Sequence, residues 1–158
     1  MATEADTADT PETRYTHYHN IFSFPVTLSP DTGRITVQTS SRLGAVVMPG
    51  DLGERLREHL TRVTGGCGPI LRDPENNRWT VLVRPDLDRS IAKLYRSLRG
   101  CGVGELCAGL EIDLPTPVDT GVERREWVVP PAVDVPLPSL RVVLVAITAC
   151  VLRVEAHV

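Results

Sequence analysis

Short apolar runs, each cut off by a cluster of Pro, Gly, Asp or Asn, set the architecture of this chain. Residues 26–28 and 34–38 flank Ser29-Pro-Asp-Thr-Gly33, where Pro presets φ and Gly permits a positive one, so the spacing predicts a β-hairpin. Residues 69–72 and 78–83 flank Asp73-Pro-Glu-Asn-Asn77 and predict a second hairpin, with Trp79, Val81 and Val83 alternating onto one face. Between the hairpins the apolar run 43–48 meets Pro49-Gly50-Asp51, after which Leu52, Leu56, Leu60 and Val63 recur at helical spacing up to Gly65 and Gly66. A second helix is expected from Asp86, with Leu87, Ile91, Leu94, Tyr95 and Leu98 on one stripe and Gly100 as its stop. Residues 110–114 and 125–129 read as further strands. The Pro-rich bridge 130–138 then leads to Ser139, an N-cap for a closing helix over 139–153, although the Val content there also suits a buried strand. Hairpins with two or three helices do not make a strict β-α-β alternation. The expected fold is α+β, a mostly antiparallel sheet with the helices packed on it.

Length and composition agree with one domain over 14–158. The hydrophobic share is 42% but the aromatic share only 4%, so Val, Leu and Ile must build the core, and their branching favours strands. Residues 1–13 hold Glu4, Asp6, Asp9 and Glu12 with no basic partner and read as a disordered acidic tail. Without those four acids, the remaining 16 nearly balance the 17 Lys and Arg residues, so the folded part is about neutral and carries no chain-wide basic footprint for nucleic acid. The start lacks the charge and apolar run of an export signal, and the uncharged stretch 142–152 is about half of the roughly 20 residues needed to cross a bilayer. The expected setting is the cytoplasm. Cys67, Cys101, Cys107 and Cys150 form no C-x-x-C pair and are read as buried reduced thiols, with no metal site and no cofactor expected.

Few constellations could carry chemistry. Asp86 and Asp88 form a D-x-D directly after an apolar strand, a geometry that can hold Mg²⁺ or Mn²⁺ for nucleotidyl transfer. The competing reading makes Asp86 the cap and Asp88 a first-turn acid of the following helix. Asp113 could be the third carboxylate, since alternation places it on one face with Glu111. His17 and His19 would share one side of an extended segment. The glycines over 100–109 match neither a dinucleotide turn nor a P-loop and read as a flexible connection. Arg84, Arg89, Lys93, Arg96 and Arg99 are the candidate binding residues, either for phosphate or for an acidic protein face.

Four segments, Leu43-Gly-Ala-Val-Val-Met-Pro49, Cys67-Gly-Pro-Ile-Leu71, Asn77-Arg-Trp-Thr-Val-Leu-Val83 and Trp127-Val-Val-Pro-Pro131, carry a resemblance. Together they resemble small actinobacterial proteins related to part of the N-terminal domain of bifunctional DNA primase/polymerases, over about 43–131. The resemblance implies an α+β fold that binds nucleotides and divalent metal through paired acids. The family's acidic motif followed by a catalytic His does not map onto this chain. The resulting expectation is a non-catalytic accessory or regulatory domain of primase/polymerase-like ancestry, binding a protein or nucleic-acid partner through a helix face or sheet edge. The alternatives are a metal-dependent nucleotide-binding or nucleotidyl-transfer enzyme using Asp86 and Asp88, and an oligomerisation module, with a homo-oligomer compatible with either reading.

Overall fold

A computed structural model describes residues 9–20, 25–85, 89–106, 109–117, 125–133 and 135–156. The elements run α1 (Pro11–Asn20), β1 (Val26–Leu28), β2 (Ile35–Gln38), β3 (Gly44–Pro49), α2 (Gly50–Thr64), β4 (Ile70–Asp73), β5 (Arg78–Val83), α3 (Arg89–Leu98), β6 (Gly104–Leu106), β7 (Glu111–Leu114), β8 (Glu126–Val129) and α4 (Leu140–Ala156). The expected α+β class with antiparallel strands is what forms. Both hairpins, β1–β2 and β4–β5, pair antiparallel, with Thr27 opposite Thr36 and Leu71 opposite Thr80.

The strands divide between two sheets, β1-β2-β7 and β6-β3-β5-β4-β8. In the larger sheet β3 is antiparallel to β5, β5 to β4, and β6 to β3. Hence β3 and β4 run the same way, joined through α2 with β5 between them. Likewise β5 and β6 run the same way, joined through α3 with β3 between them. This is the interlocked split β-α-β topology of ferredoxin-like folds, extended by β8 at one edge. A helix between two parallel strands can return only across a sheet face, which is why α2 and α3 do not lie in the sheet plane.

Two cores result, one on each face of the larger sheet. Val46, Met48, Ile70, Trp79, Val81 and Val83 face the helices and pack with Leu52, Leu56 and Leu60 of α2, Ile91 and Leu98 of α3, and Val143, Leu144 and Ile147 of α4. Ala45, Leu71 and Leu82 point the other way, onto Ile35 and Val37 of β2, Ile112 and Leu114 of β7, and Tyr18 of α1. The expected alternation of Trp79, Val81 and Val83 holds. Leu82 between them is just as buried, because β5 is covered on both faces, and such a strand reads as a continuous apolar run.

α2 follows β3 without a loop. Gly50 and Asp51, expected as punctuation before the helix, are its first residues, and the Gly50 N–H donates to the Asn77 carbonyl at 2.9 Å. Gly53 sits where a Cβ would lie 2.7 Å from the Trp79 ring, so its missing side chain sets how closely α2 approaches β5. The helix ends at Gly65, φ 83°, whose N–H donates to the Thr61 carbonyl. The choice left open over 139–153 resolves to helix: Ser139 Oγ accepts from the Val142 N–H at 3.1 Å, and Leu140, Val143, Leu144 and Ile147 recur on the buried side.

Several expectations need correction. Tyr15 to His19 is helical rather than extended, and the acidic tail expected to run to Thr13 overlaps the first turn of α1. Thr10 caps that turn, its Oγ1 accepting from the Thr13 N–H while Thr13 Oγ1 accepts from the Thr10 N–H, and Pro11 occupies the first helical position, where its missing N–H costs nothing. His17 and His19, two residues apart on a helix, project about 200° apart and share no side. The connection over 100–109 is not wholly irregular, since it contains β6, which pairs with the β3 backbone at Ala45, Val46 and Val47. Its glycines hid a strand whose partner needs only backbone groups. Cys67 and Cys150 are buried as expected, whereas Cys101 is exposed and Cys107 lies outside the described residues.

Candidate functional site

α3 is built to show water a cationic surface. Ile91 and Leu98 are buried and Leu94 and Tyr95 pack at their flanks, which fixes the rotation of the helix. At 100° per residue Arg89, Lys93 and Arg96 then fall within about 60° of one another on the opposite side, spread over about 10 Å of axis. All three are exposed, as are Arg99 in the short 3-10 turn that follows and Arg84 at the end of β5. The helix contains no acidic residue, and none of the ion pairs among the described residues involves these five cations. Among the described residues these cations meet no carboxylate, unlike Arg14, Arg34, Arg72 and Arg125, each of which does. Arg84 is also fixed in place by its backbone, whose N–H donates to the Pro138 carbonyl at 2.8 Å and whose carbonyl accepts from the Leu140 N–H at 2.9 Å.

Of the three candidate carboxylates, Asp113 alone lies among the described residues. Asp86 and Asp88 lie outside the described residues. Asp113 stands on β7, in the smaller sheet, where Arg34 Nε and Nη2 donate to its Oδ1 at 3.1 and 2.6 Å. That pair ties β2 to β7 on the outer face of the smaller sheet. Glu111 shares the face, as alternation requires, and is exposed. Among the described residues no group of three or more His, Cys, Asp or Glu side chains is placed to hold a metal ion. The described residues thus do not make the donor set a divalent metal needs, and no step is derived through one.

A second surface feature was not anticipated from the sequence. At the C-terminal end of α2, the loop Gly66 to Pro69, the end of β8 and the Pro-rich bridge enclose a groove of about 630 Å³. Cys67, Pro69, Val129 and Val135 supply apolar walls, and Arg57 and Arg62 stand at its rim. Burial pushes the Cys67 thiol up, against the opposing effects of a hydrogen bond with Thr61 and of the Arg57 charge, so the sulfur is held in its neutral form. A smaller cavity of about 400 Å³ adjoins it and reaches Val142 of α4. The only sequence signal for this region was Gly65-Gly-Cys-Gly-Pro69 and the prolines of 130–138, each of which reads as a turn or bridge until the chain brings them together.

No family model matches the chain, and no curated protein or solved structure does. Among the described residues no helix is long and apolar enough to cross a membrane.

Proposed function

We propose that this protein is a non-catalytic accessory domain that binds nucleic acid along its phosphate backbone through the exposed face of α3. The observation that carries this reading is the set Arg84, Arg89, Lys93, Arg96 and Arg99, of which Arg89, Lys93 and Arg96 share the outer face of α3 and none has an ion-pair partner among the described residues. Helix faces of this kind gain affinity by releasing condensed counterions, a term that is independent of sequence. The fold points to backbone contact rather than base reading. In split β-α-β-β-α-β domains that read single strands, bases stack on aromatic side chains of the open sheet face. Here that face is closed, since Ala45, Leu71 and Leu82 are covered by the smaller sheet. The primase/polymerase-like ancestry is carried by the sequence resemblance alone, and the enzyme alternative rests on Asp86 and Asp88.

Fluorescence anisotropy with labelled 20-nucleotide single strands, duplexes and RNA tests the proposal. Binding at 50 mM salt should fall about a hundredfold by 200 mM if about four phosphates are neutralised, and Lys93→Glu/Arg96→Glu should abolish it without changing thermal stability. Binding that is salt-insensitive, or undiminished in that variant, would remove the α3 face as the site. Absence of nucleic-acid binding alongside capture of a poly-glutamate peptide would assign the same cations to an acidic protein.

A further inference from the structure

Helices packed on a sheet ordinarily carry one apolar stripe and a polar remainder, and α4 does not. From Val142 to Leu152 it contains no charged residue, although only one side of it faces the core. Leu140, Val143, Leu144, Ala146, Ile147 and Cys150 are turned inward. On the outer side Val142 remains 43% exposed, Val145 53% and Leu152 58%, with half-buried Ala149 between the last two. The spacing of Val142, Val145, Ala149 and Leu152 is three, four and three, the a/d repeat by which one helix seats against another. A water-facing side has no reason to keep that spacing, because each exposed Val or Leu gives up burial energy.

The stripe continues into the smaller of the two cavities, where Val142 meets Val135, Pro136 and Leu137. Val135, Val142, Val145 and Leu152 together leave on the order of 300 Å² of apolar surface in water, within the range of the largest apolar patch on a monomer, which is often functional. A standard interface covers about 800 Å² per partner, about two-thirds of it apolar in homodimers, so this stripe supplies a little over half of the apolar share such a dimer needs and Pro136 and Leu137 add to it.

We infer that the outer face of α4 is a self-association surface, on which α4 of a second copy packs about a two-fold axis passing near Val145 and Ala149. An a/d seam asks for another helix with the same spacing, and α4 itself supplies it. Over 142–152 the facing residues carry no charge, Arg141 stands exposed at the N-terminal end of the same side, and Ala149 lets the axes approach closely. Arg89, Lys93 and Arg96 lie on α3, a separate helix that packs beside α4.

Sedimentation equilibrium of the full chain between 1 and 100 μM is the test. The wild type should be a dimer in the upper part of that range, at 1 M NaCl as well as at 100 mM. Val145→Glu should be monomeric with an unchanged circular dichroism spectrum, and Lys93→Glu/Arg96→Glu should dimerise like the wild type. A monomer throughout, or dimers undiminished by both Val145→Glu and Leu152→Glu, would overturn the inference. Should Val145→Glu fail to fold, Val145→Cys on a Cys101→Ser background decides the matter: mild oxidation should link the two copies through position 145, and no such link at 100 μM would overturn it.

Discussion

Tyr18 shows how much one side chain can join. It is buried on α1, its hydroxyl donates to the Pro115 carbonyl at 2.8 Å, and it accepts from Trp127 Nε1 at 3.0 Å. One phenol thus connects the N-terminal helix, the end of the smaller sheet and the edge strand of the larger. Tyr18→Phe should cost about 1–3 kcal/mol in urea unfolding, because a buried N–H loses its partner while the ring still fills its space; a cost below about 0.5 kcal/mol would make the network incidental. Asp73 opens the turn of the second hairpin. Its burial works against the charge, but hydrogen bonds from Asn76 and Glu75 and the Arg125 guanidinium 2.9 Å away outweigh it, so the carboxyl is held below the usual range. A depressed carboxylate stabilises the fold above its unfolded pKa, near 3.9, and that contribution is lost as pH falls through the lower folded value. Wild type should therefore exceed Asp73→Asn in urea midpoint at pH 7, and the gap should close below pH 4. The thiols give a third expectation: Cys101 should react with a water-soluble maleimide far faster than Cys67 or Cys150, as read by peptide mapping, since both are buried and Cys67 is kept neutral.

At the scale of the element, α2 depends on residues that helices usually avoid. Gly53 lies against Trp79 with no room for a methyl group, so Gly53→Ala, favourable in an isolated helix by about 1 kcal/mol, should here destabilise by about 1–3 kcal/mol as the helix is pushed off β5. Gly66 has open space around the position of a Cβ and no unusual φ, and Gly66→Ala in the following loop serves as the neutral control in the same thermal-melt series. Helical spacing in α2 and α3 was readable because Leu52, Leu56 and Leu60, and Ile91 and Leu98, mark one face against charged neighbours. The cationic face of α3 was readable for the same reason, since the cations fall wherever the apolar stripe does not. α1 was misread because Tyr-Thr-His-Tyr-His alternates in a way that fits a strand, and only Tyr18 is buried in the helix it forms. Its real signal was the Thr10-Pro11 pair.

Across the whole molecule, the larger sheet is a shared wall between two cores, so the two should unfold together. Trp79 belongs to the helix-side core and Trp127 packs against the other, which allows each to be followed alone. Single-tryptophan variants should give coincident urea midpoints, and Leu82→Ala, in the strand that both cores cover, should lower each by the same amount, for a cost of about 2–5 kcal/mol. Separate transitions would mean that the smaller sheet folds as its own unit.

What the chain determined by itself is local: where it turns, which runs are strands, which faces of α2 and α3 are apolar, and that strands and helices mix without strict alternation. These follow from Pro and Gly geometry and from periodicity, which act over a few residues. Tertiary structure alone decided that the strands divide into two sheets, that β3 lies between β5 and β6, and that the Gly-rich connection supplies an edge strand, because pairing uses backbone groups every residue carries. It alone turned Asp113 toward Arg34 and assembled a groove from Gly66 to Pro69 and a proline bridge more than sixty residues away. It also left α4 with an apolar side facing outward. The sequence shows that residues 142–152 carry no charge, but which side of their helix the core has used is set by where α2, α3 and β5 come to rest.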